Sequence, residues 1–291
     1  MKLAYFDAHC DTLSRCLRTG ESLWDASGQC SLERLSRYEP SGQVFAIFAD
    51  SAKTPDIREN ARAQAALFRR EKAHYPEQTR RAVLSVEGGE LLGCDPDALD
   101  EAQAWGVRAV NPTWNHANAL SGSHAESPER GLSDTGRAFV RRAAELGIFI
   151  DASHLSDRGF FDVAELSLMP LLASHSNSRT VCPHTRNLTD DQFRLIRDSG
   201  GFVGINLYRD FVGGDGSMEA LLRHFEHFLD MDGASCVGLG SDWDGGITGA
   251  GNLRGAEDMV RLADAMERRG YGKPLIHAIF YGNLSRFLGM A

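Results

Sequence analysis

Residues 148–176 read IFIDASHLSDRGFFDVAELSLMPLLASHS, with two apolar runs at 148–154 and 171–176 that each carry a histidine near the end. The apolar residues in these runs are continuous rather than alternating, which is typical of parallel strands buried on both faces. A parallel pair of strands needs a crossover connection between them, usually a helix. The segment therefore predicts one strand–helix–strand unit of a parallel sheet.

The same pattern recurs along the whole chain. Further apolar runs lie at 3–10, 44–49, 82–87, 107–114, 202–208 and 236–242. Helices are predicted between most of the runs, at 58–75, 134–146, 218–230, 255–269 and 274–288, together with one that a capping box at Thr189 and Gln192 begins and Gly200 ends.

Eight strands alternating with helices in 291 residues predict an α/β protein, a (β/α)8 barrel forming a single domain over residues 1–291. The main alternative is an open doubly wound sheet. Such a sheet usually carries a Gly-rich turn after its first strand, whereas this strand ends in HCDT (9–12). A long polar insertion at 115–133 would overhang the mouth of the barrel.

Composition excludes several classes of function. The 40 acidic residues against 31 basic ones give a formal net charge of −9, which argues against a nucleic-acid partner. No signal peptide and no membrane span are recognisable, so a cytoplasmic protein is expected. The six cysteines are scattered without a C-x-x-C pair, and reduced thiols are expected.

Metal-ligating residue types stand at the ends of five predicted strands: His9 and Asp11, Glu87, His154, His175 and Asp242. Barrel enzymes place the active site at the carboxyl ends of their strands. His9 and Asp11 are two residues apart and share a face, so both can reach one ion, while His154 and His175 can hold a second. Glu87 arrives between the two groups and can bridge two ions, with a hydroxide held between them.

Each of these residues also has a structural interpretation. A lone strand histidine is usually a packed, hydrogen-bonded residue, Asp11 could cap the following helix, and Asp244 could simply start a turn. The joint occurrence of five metal-ligating residues at the correct strand ends (His9, Asp11, Glu87, His154 and His175) favours a shared metal site. Zinc suits the ligand set, although manganese or iron could also accept it.

The segments around these strand ends resemble the renal-type, or membrane, dipeptidase family of zinc metallopeptidases in the amidohydrolase superfamily. The resemblance spans nearly the whole chain and rests on DAHCDT (7–12), VEGG (86–89), IDASHLS (150–156), ASHSNSR (173–179), CPHTRNLTD (182–190) and VGLGSDWDG (237–245). It implies a (β/α)8 barrel with two zinc ions bridged by a glutamate and by a water or hydroxide.

By this resemblance, one zinc ion is bound by His9, Asp11 and Glu87, and the other by Glu87, His154 and His175. Asp242 would shuttle a proton from the bridging water to the leaving amine. Arg186 would grip the free carboxylate of a dipeptide, a role that suits a guanidinium fork. The family also suggests tolerance of a D-residue at the second position of the substrate.

The chain departs from the family after its fourth strand, where the mammalian members place a substrate-binding histidine. Alignment on GVR (106–108) puts Trp114 or Asn115 there, with His116 following. His116 could reach the oxyanion from a shifted loop, or it could be an ordinary loop residue.

Two other functions stay open at this point. One is a related binuclear amidohydrolase that acts on an acylated amino acid, a cyclic amide or a lactone, although such barrels typically begin with His-x-His rather than His-x-Asp. The other is a non-enzymatic scaffold, which would be free to lose ligands. The expected partner is a small dipeptide, and a homodimer is plausible on general grounds.

Overall fold

The computed structural model describes residues 2–166 and 168–290, and its centre is an eight-stranded parallel sheet. Neighbouring strands follow the order β5-β4-β3-β2-β1-β8-β7-β6. The strands are β1 Tyr5–Cys10, β2 Ser41–Ile47, β3 Ala82–Glu87, β4 Val107–Asn111, β5 Phe149–Ile150, β6 Leu172–Ala173, β7 Phe202–Ile205 and β8 Val237–Leu239.

The two end strands of this order meet and close the sheet into a barrel. Asp151, directly after β5, forms a parallel bridge with Leu172 of β6, and the Ala152 amide donates to the Leu172 carbonyl at 2.7 Å. The Asp151 carboxylate also accepts a 2.9 Å hydrogen bond from the Ser174 amide. The predicted (β/α)8 barrel is therefore confirmed, with its shortest strands at the point of closure.

Helices surround the barrel between successive strands. Over the described residues the α-helices are α1 Thr12–Thr19, α2 Leu32–Leu35, α3 Ile57–His74, α4 Ala98–Trp105, α5 Asp134–Glu145, α6 Asp157–Leu166, α7 Asp190–Asp198, α8 Arg209–Val212, α9 Met218–Asp230, α10 Met259–Arg268, α11 Lys273–His277 and α12 Asn283–Phe287, with a π-helical turn at Ala278–Gly282 joining the last two. The capping box of Thr189 and Gln192 begins α7, as predicted.

Several strands end earlier than their apolar runs, and the cause is local in each case. β4 stops at Asn111 because Pro112 has no amide hydrogen to donate to a ladder. β7 stops at Ile205 because the next amide, of Asn206, donates to the Asn177 side chain at 2.8 Å. Side chains thus replace backbone pairing at the mouth, where the polar residues accumulate.

A layer of apolar side chains fills the barrel below the mouth and separates it from the amino-terminal end. Strand β8 contributes Gly238 at this level, where a Cβ atom would lie 2.7 Å from the Phe202 ring. Strands β1–β7 and the C-terminal helix supply the layer itself: Phe6, Ala8, Val44, Val83, Ala109, Phe149, Leu172, Phe202, Leu284 and Leu288.

An extra residue in β1 re-aims the end of that strand. Asp7 pairs with Gln43 and Cys10 pairs with Phe45, so three steps along β1 oppose two along β2. Ala8 faces the interior layer, as Phe6 does two residues earlier, while Cys10 packs in the outer core between sheet and helices. Because this bulge reverses the alternation, His9 also faces the barrel interior.

Two further expectations are tested by the fold. All six cysteines lie in the described part of the chain, and none is disulfide-bonded. Of the helices in residues 2–166 and 168–290, none combines the length and the apolar character needed to cross a lipid bilayer.

Candidate metal centre and active-site cleft

Three imidazole rings converge on one buried carboxylate at the mouth of the barrel. Glu87 Oε1 lies 2.9 Å from His154 Nε2 and 3.4 Å from His175 Nε2, and Glu87 Oε2 lies 3.5 Å from His9 Nε2. The two oxygens of Glu87 thus face different histidines, as a carboxylate between two ions would require. The structure thus brings these four sequence-predicted side chains together at the mouth of the barrel.

Hydrogen bonds on the far sides of two rings fix which nitrogen faces Glu87. His175 Nδ1 lies 2.6 Å from Ser174 Oγ, and His154 Nδ1 lies 2.9 Å from Asn115 Oδ1. With Nδ1 so engaged, Nε2 of each ring points into the centre, and the two Nε2 atoms are 3.1 Å apart. Outer partners of this kind orient metal-binding histidines in proteins.

Asp11 occupies the first position before α1 but does not cap it. Its side chain makes no capping hydrogen bond, and its Oδ1 is buried without a hydrogen-bond partner among the described residues. His9 Nε2 is likewise buried and unsatisfied in that part of the chain, 3.8 Å from Asp11 Oδ2. Buried polar atoms without partners are rare, and here they fit the missing bonds of a divalent metal.

The charges at the site also point to a cation. Burial raises the pKa of Asp11 to about 7 and that of Asp242 to about 6, and the nearby charge of Glu87 adds to both shifts. Although burial opposes its ionisation, the His9 charge and the close contacts with His154 and His175 hold the pKa of Glu87 well below its usual range. A divalent ion would relieve the repulsion among the three carboxyl groups.

Asp242 stands beside this cluster in a constrained backbone conformation. Its φ is +66° and that of His154 is +73°, both in the left-handed region that residues other than glycine rarely adopt. Such outliers concentrate at functional sites. Asn206, just after β7, donates to Asp242 Oδ2 at 3.0 Å and leaves the other carboxylate oxygen available to the cleft.

Asp244, two residues further on, has the structural role that the sequence left open. It accepts hydrogen bonds from the Thr12 hydroxyl at 2.7 Å and from the Gln29 amide at 2.7 Å. Asp244 therefore anchors the 28–30 segment to the end of β8.

Arg186 is a buried cation with unused hydrogen-bonding capacity. Its side chain is 3% exposed, and Nη1 donates to Ser176 Oγ at 2.7 Å. Nε and Nη2 are buried without partners in the described chain, and the guanidinium lies 5.8 Å from the Phe211 ring centre. Burial lowers the pKa of Arg186 to about 10, which still leaves it charged near neutral pH. Two free N–H directions on one fork suit a carboxylate ligand.

A cleft of about 160 Å³ opens above the metal-type residues. Its floor contains Asp11, Glu87, His154 and Asp242. Trp114 and Asn115, which the alignment places at the family's substrate-binding position, both line the cleft. The walls also contain residues that the sequence analysis did not identify, since aromatic and aliphatic positions in loops carry no motif: Phe48, Tyr208, Phe211 and Ile247. The cleft is thus polar below, apolar at the sides, and of a size for a small molecule.

The two histidines of the 115–133 segment lie in different surroundings. His116 has a side chain 44% exposed and contacts Asp50 at 3.7 Å and Glu126 at 3.4 Å, so its contact with an oxyanion stays a prediction. His124 is partly buried, with Nε2 2.9 Å from Asn115 Oδ1. Burial and the nearby Arg186 charge lower the pKa of His124, which keeps the ring neutral.

Comparison with known proteins matches the whole chain to one family of metallopeptidases. The model of the membrane dipeptidase family, peptidase family M19, matches residues 1–291. The crystal structure of a metallopeptidase from Rhodobacter sphaeroides, liganded with a phosphinate mimic of the dipeptide L-Ala-D-Ala, superposes with a TM-score of 0.89 at 29% identity, covering 100% of this chain and 99% of that one.

Two further relatives carry dipeptidase names. The crystal structure of dipeptidase AC has a TM-score of 0.88 at 30% identity, covering 100% of this chain and 99% of that chain. Dipeptidase aclJ of Aspergillus oryzae is 27% identical over 300 residues, which is 90% of this chain and 70% of the relative. The chain therefore belongs to the membrane dipeptidase family, peptidase family M19, and is a metallo-dipeptidase of that family.

Proposed function

We propose that this metallo-dipeptidase binds two zinc ions and hydrolyses free dipeptides, including those with a C-terminal D-residue. The observation that carries the proposal is the placement of Arg186 within reach of the same centre as Glu87. The carboxylates of Asp242 and Glu87 are close enough to act on the pKa of the Arg186 guanidinium. Arg186 also donates to Ser176 Oγ, which lies 3.2 Å from the hydroxyl of Ser153, the residue before His154. A cation for a terminal carboxylate next to a metal centre selects short peptides with a free C-terminus.

In this proposal His9, Asp11 and Glu87 hold one zinc ion, and Glu87, His154 and His175 hold the other. When bound, zinc supplies Lewis acidity that polarises the scissile carbonyl and lowers the pKa of water. Asp242 would receive the proton of the attacking water and return it to the leaving amine, since Asn206 engages only one of its two carboxylate oxygens. Arg186 orients the substrate by its carboxylate.

The identity of the C-terminal residue is supported by similarity. The Rhodobacter sphaeroides relative was liganded with a mimic of L-Ala-D-Ala. Tyr208 and Phe211 form an apolar wall on the Arg186 side of the cleft. They would contact the side chain of the C-terminal residue of the dipeptide. The homodimer and the cytoplasmic location stay predictions, which size-exclusion chromatography and cell fractionation would test.

A dipeptide panel tests the proposal. Zinc-reconstituted protein would be assayed on L-L, L-D and β-linked dipeptides and on their C-terminal amides, with chelated protein as the control. We expect chelator-sensitive cleavage of free dipeptides, L-D members included, and little cleavage of the amides. Protein that holds two metals but cleaves no dipeptide would refute the proposal and direct the search to acylated amino acids, cyclic amides and lactones.

A further inference from the structure

A short chain of hydrogen bonds runs from the Arg186 segment to a proposed metal ligand. Thr185 Oγ1 lies 3.1 Å from His124 Nδ1, His124 Nε2 lies 2.9 Å from Asn115 Oδ1, and the same oxygen lies 2.9 Å from His154 Nδ1. The backbone supports this chain, because the His124 amide donates to the His154 carbonyl at 2.9 Å.

The chemistry of the amide oxygen fixes the proton on each ring. Asn115 Oδ1 has no hydrogen, so it can only accept, and both imidazole nitrogens that face it must donate. His154 therefore carries its proton on Nδ1 and presents the Nε2 lone pair to the centre. His124 carries its proton on Nε2, and its Nδ1 accepts from the Thr185 hydroxyl.

We propose that Asn115 is a positioning residue that holds His154 in the orientation and tautomer that metal binding requires, and that His124 holds Asn115 in turn. A free amide side chain at the start of a long polar loop has several rotamers. Two imidazole donors on one oxygen restrict it to one of them. His116, the next residue, takes no part in this series of hydrogen bonds and contacts Asp50 and Glu126 instead.

The proposal rests on the proposed metal centre, and its first readout is zinc affinity. Asn115→Leu keeps the approximate size of the side chain and removes the acceptor. We expect one of the two stepwise zinc dissociation constants, measured by competition with a chromophoric chelator, to weaken about 10- to 100-fold, while the other stays within about threefold. Two unchanged constants in Asn115→Leu would overturn the proposal.

Asn115→Asp is the conservative variant, because a carboxylate oxygen accepts from both imidazoles as the amide oxygen does. We expect its zinc constants to equal or exceed those of the wild type. This variant keeps the test decisive if Asn115→Leu folds poorly, since a tenfold loss of zinc affinity in Asn115→Asp would contradict the assigned role. Gln103→Leu and Gln103→Glu are the matched controls. They make the corresponding changes from an amide to an apolar group and to a carboxylate, on the exposed surface of α4.

The contribution of His124 is tested by His124→Phe, which keeps a planar ring without its hydrogen bonds. We expect a weakening of about 3- to 10-fold in the same zinc constant. Because His124 acts through Asn115, the double variant with Asn115→Leu should be no weaker than Asn115→Leu alone. Additive effects of the two substitutions would refute the proposal that His124 acts through Asn115.

Activity separates positioning from direct contact with the substrate. In Asn115→Leu, hydrolysis lost at limiting zinc should largely return in excess zinc, with KM for the dipeptide unchanged. A loss that persists at saturating zinc, with normal zinc constants, would mean that Asn115 acts on the substrate instead. If wild-type protein binds two zinc ions but cleaves no dipeptide, the proposed function fails, whereas the zinc constants still decide the role of Asn115.

Discussion

Replacing Arg186 by methionine should abolish the preference for a free C-terminal carboxylate while leaving the barrel folded. Nε and Nη2 of Arg186 are buried and find no acceptor among residues 2–166 and 168–290, so a substrate carboxylate would supply one. Truncating one partner of a buried, hydrogen-bonded charge pair costs about 2–5 kcal/mol. The corresponding loss in kcat/KM is roughly 30- to 5,000-fold, at about 1.4 kcal/mol per factor of ten.

The assay is a cycle of two enzymes and two substrates. Wild type and Arg186→Met would each be measured on a dipeptide and on its C-terminal amide. On the amide we expect the substitution to change kcat/KM by less than about fivefold, because the charge pair is already absent there. Arg194→Met, which removes an exposed guanidinium paired with Asp191 on α7, is the matched control and should stay near wild type on both substrates.

Stability provides the second half of the test. Methionine places an apolar chain where a desolvated cation stood, and Ser176 Oγ keeps its 3.2 Å contact with Ser153 Oγ. Replacing a buried charge by a well-packed apolar group is often close to neutral. The free energy of unfolding should therefore change by no more than about 1 kcal/mol. Equal losses of kcat/KM on the dipeptide and on the amide would refute the assignment of Arg186 to the carboxylate.

Three more outcomes are expected. Asp242→Asn should lower kcat about 10²- to 10⁴-fold with two metals still bound per chain by mass spectrometry, and a loss below tenfold would exclude Asp242 as the proton carrier. Chelation should lower the melting temperature reversibly, since each zinc ion at 100 times its dissociation constant stabilises the fold by about 2.7 kcal/mol; identical melting curves would argue against a preformed site. Burial lowers the pKa of His224 to about 4; its Nδ1 accepts from the Ser178 amide, and its Nε2 donates to the Val212 carbonyl. Because this pKa is below the unfolded value of about 6.5, stability is full above pH 6.5 and falls by roughly 3 kcal/mol towards pH 4. His224→Gln should flatten that slope in urea titrations, and an unchanged slope would contradict the assignment.

The barrel and its site were predictable where one residue type had one structural meaning. Continuous apolar runs located all eight strands, and several of the histidines and acidic residues at their ends are brought together around Glu87. Only the structure excludes a capping role for the Asp11 side chain. Asp11 occupies the residue before α1, but its carboxylate makes no capping hydrogen bond.

Other features depend on contacts that a pattern along the chain does not contain. The bulge in β1 is a property of its pairing with β2, so the i and i+2 rule placed His9 and Asp11 together without showing that Ala8 faces the same interior. His124 had no recognisable partner in the sequence, because Asn115 and Thr185 lie 9 and 61 residues away. The strand lengths were overestimated because side chains such as Asp151 take over the ladder at the mouth.

The closure of the barrel gives the metal centre a second consequence. β5 and β6 are two residues long, and His154 and His175 extend from these two strands. An ion held by both histidines would cross-link β5 and β6, the two shortest strands, where the barrel closes. Loss of the ion should then first accelerate hydrogen exchange at the Ala152 and Ser174 amides, before the other strands of the barrel separate.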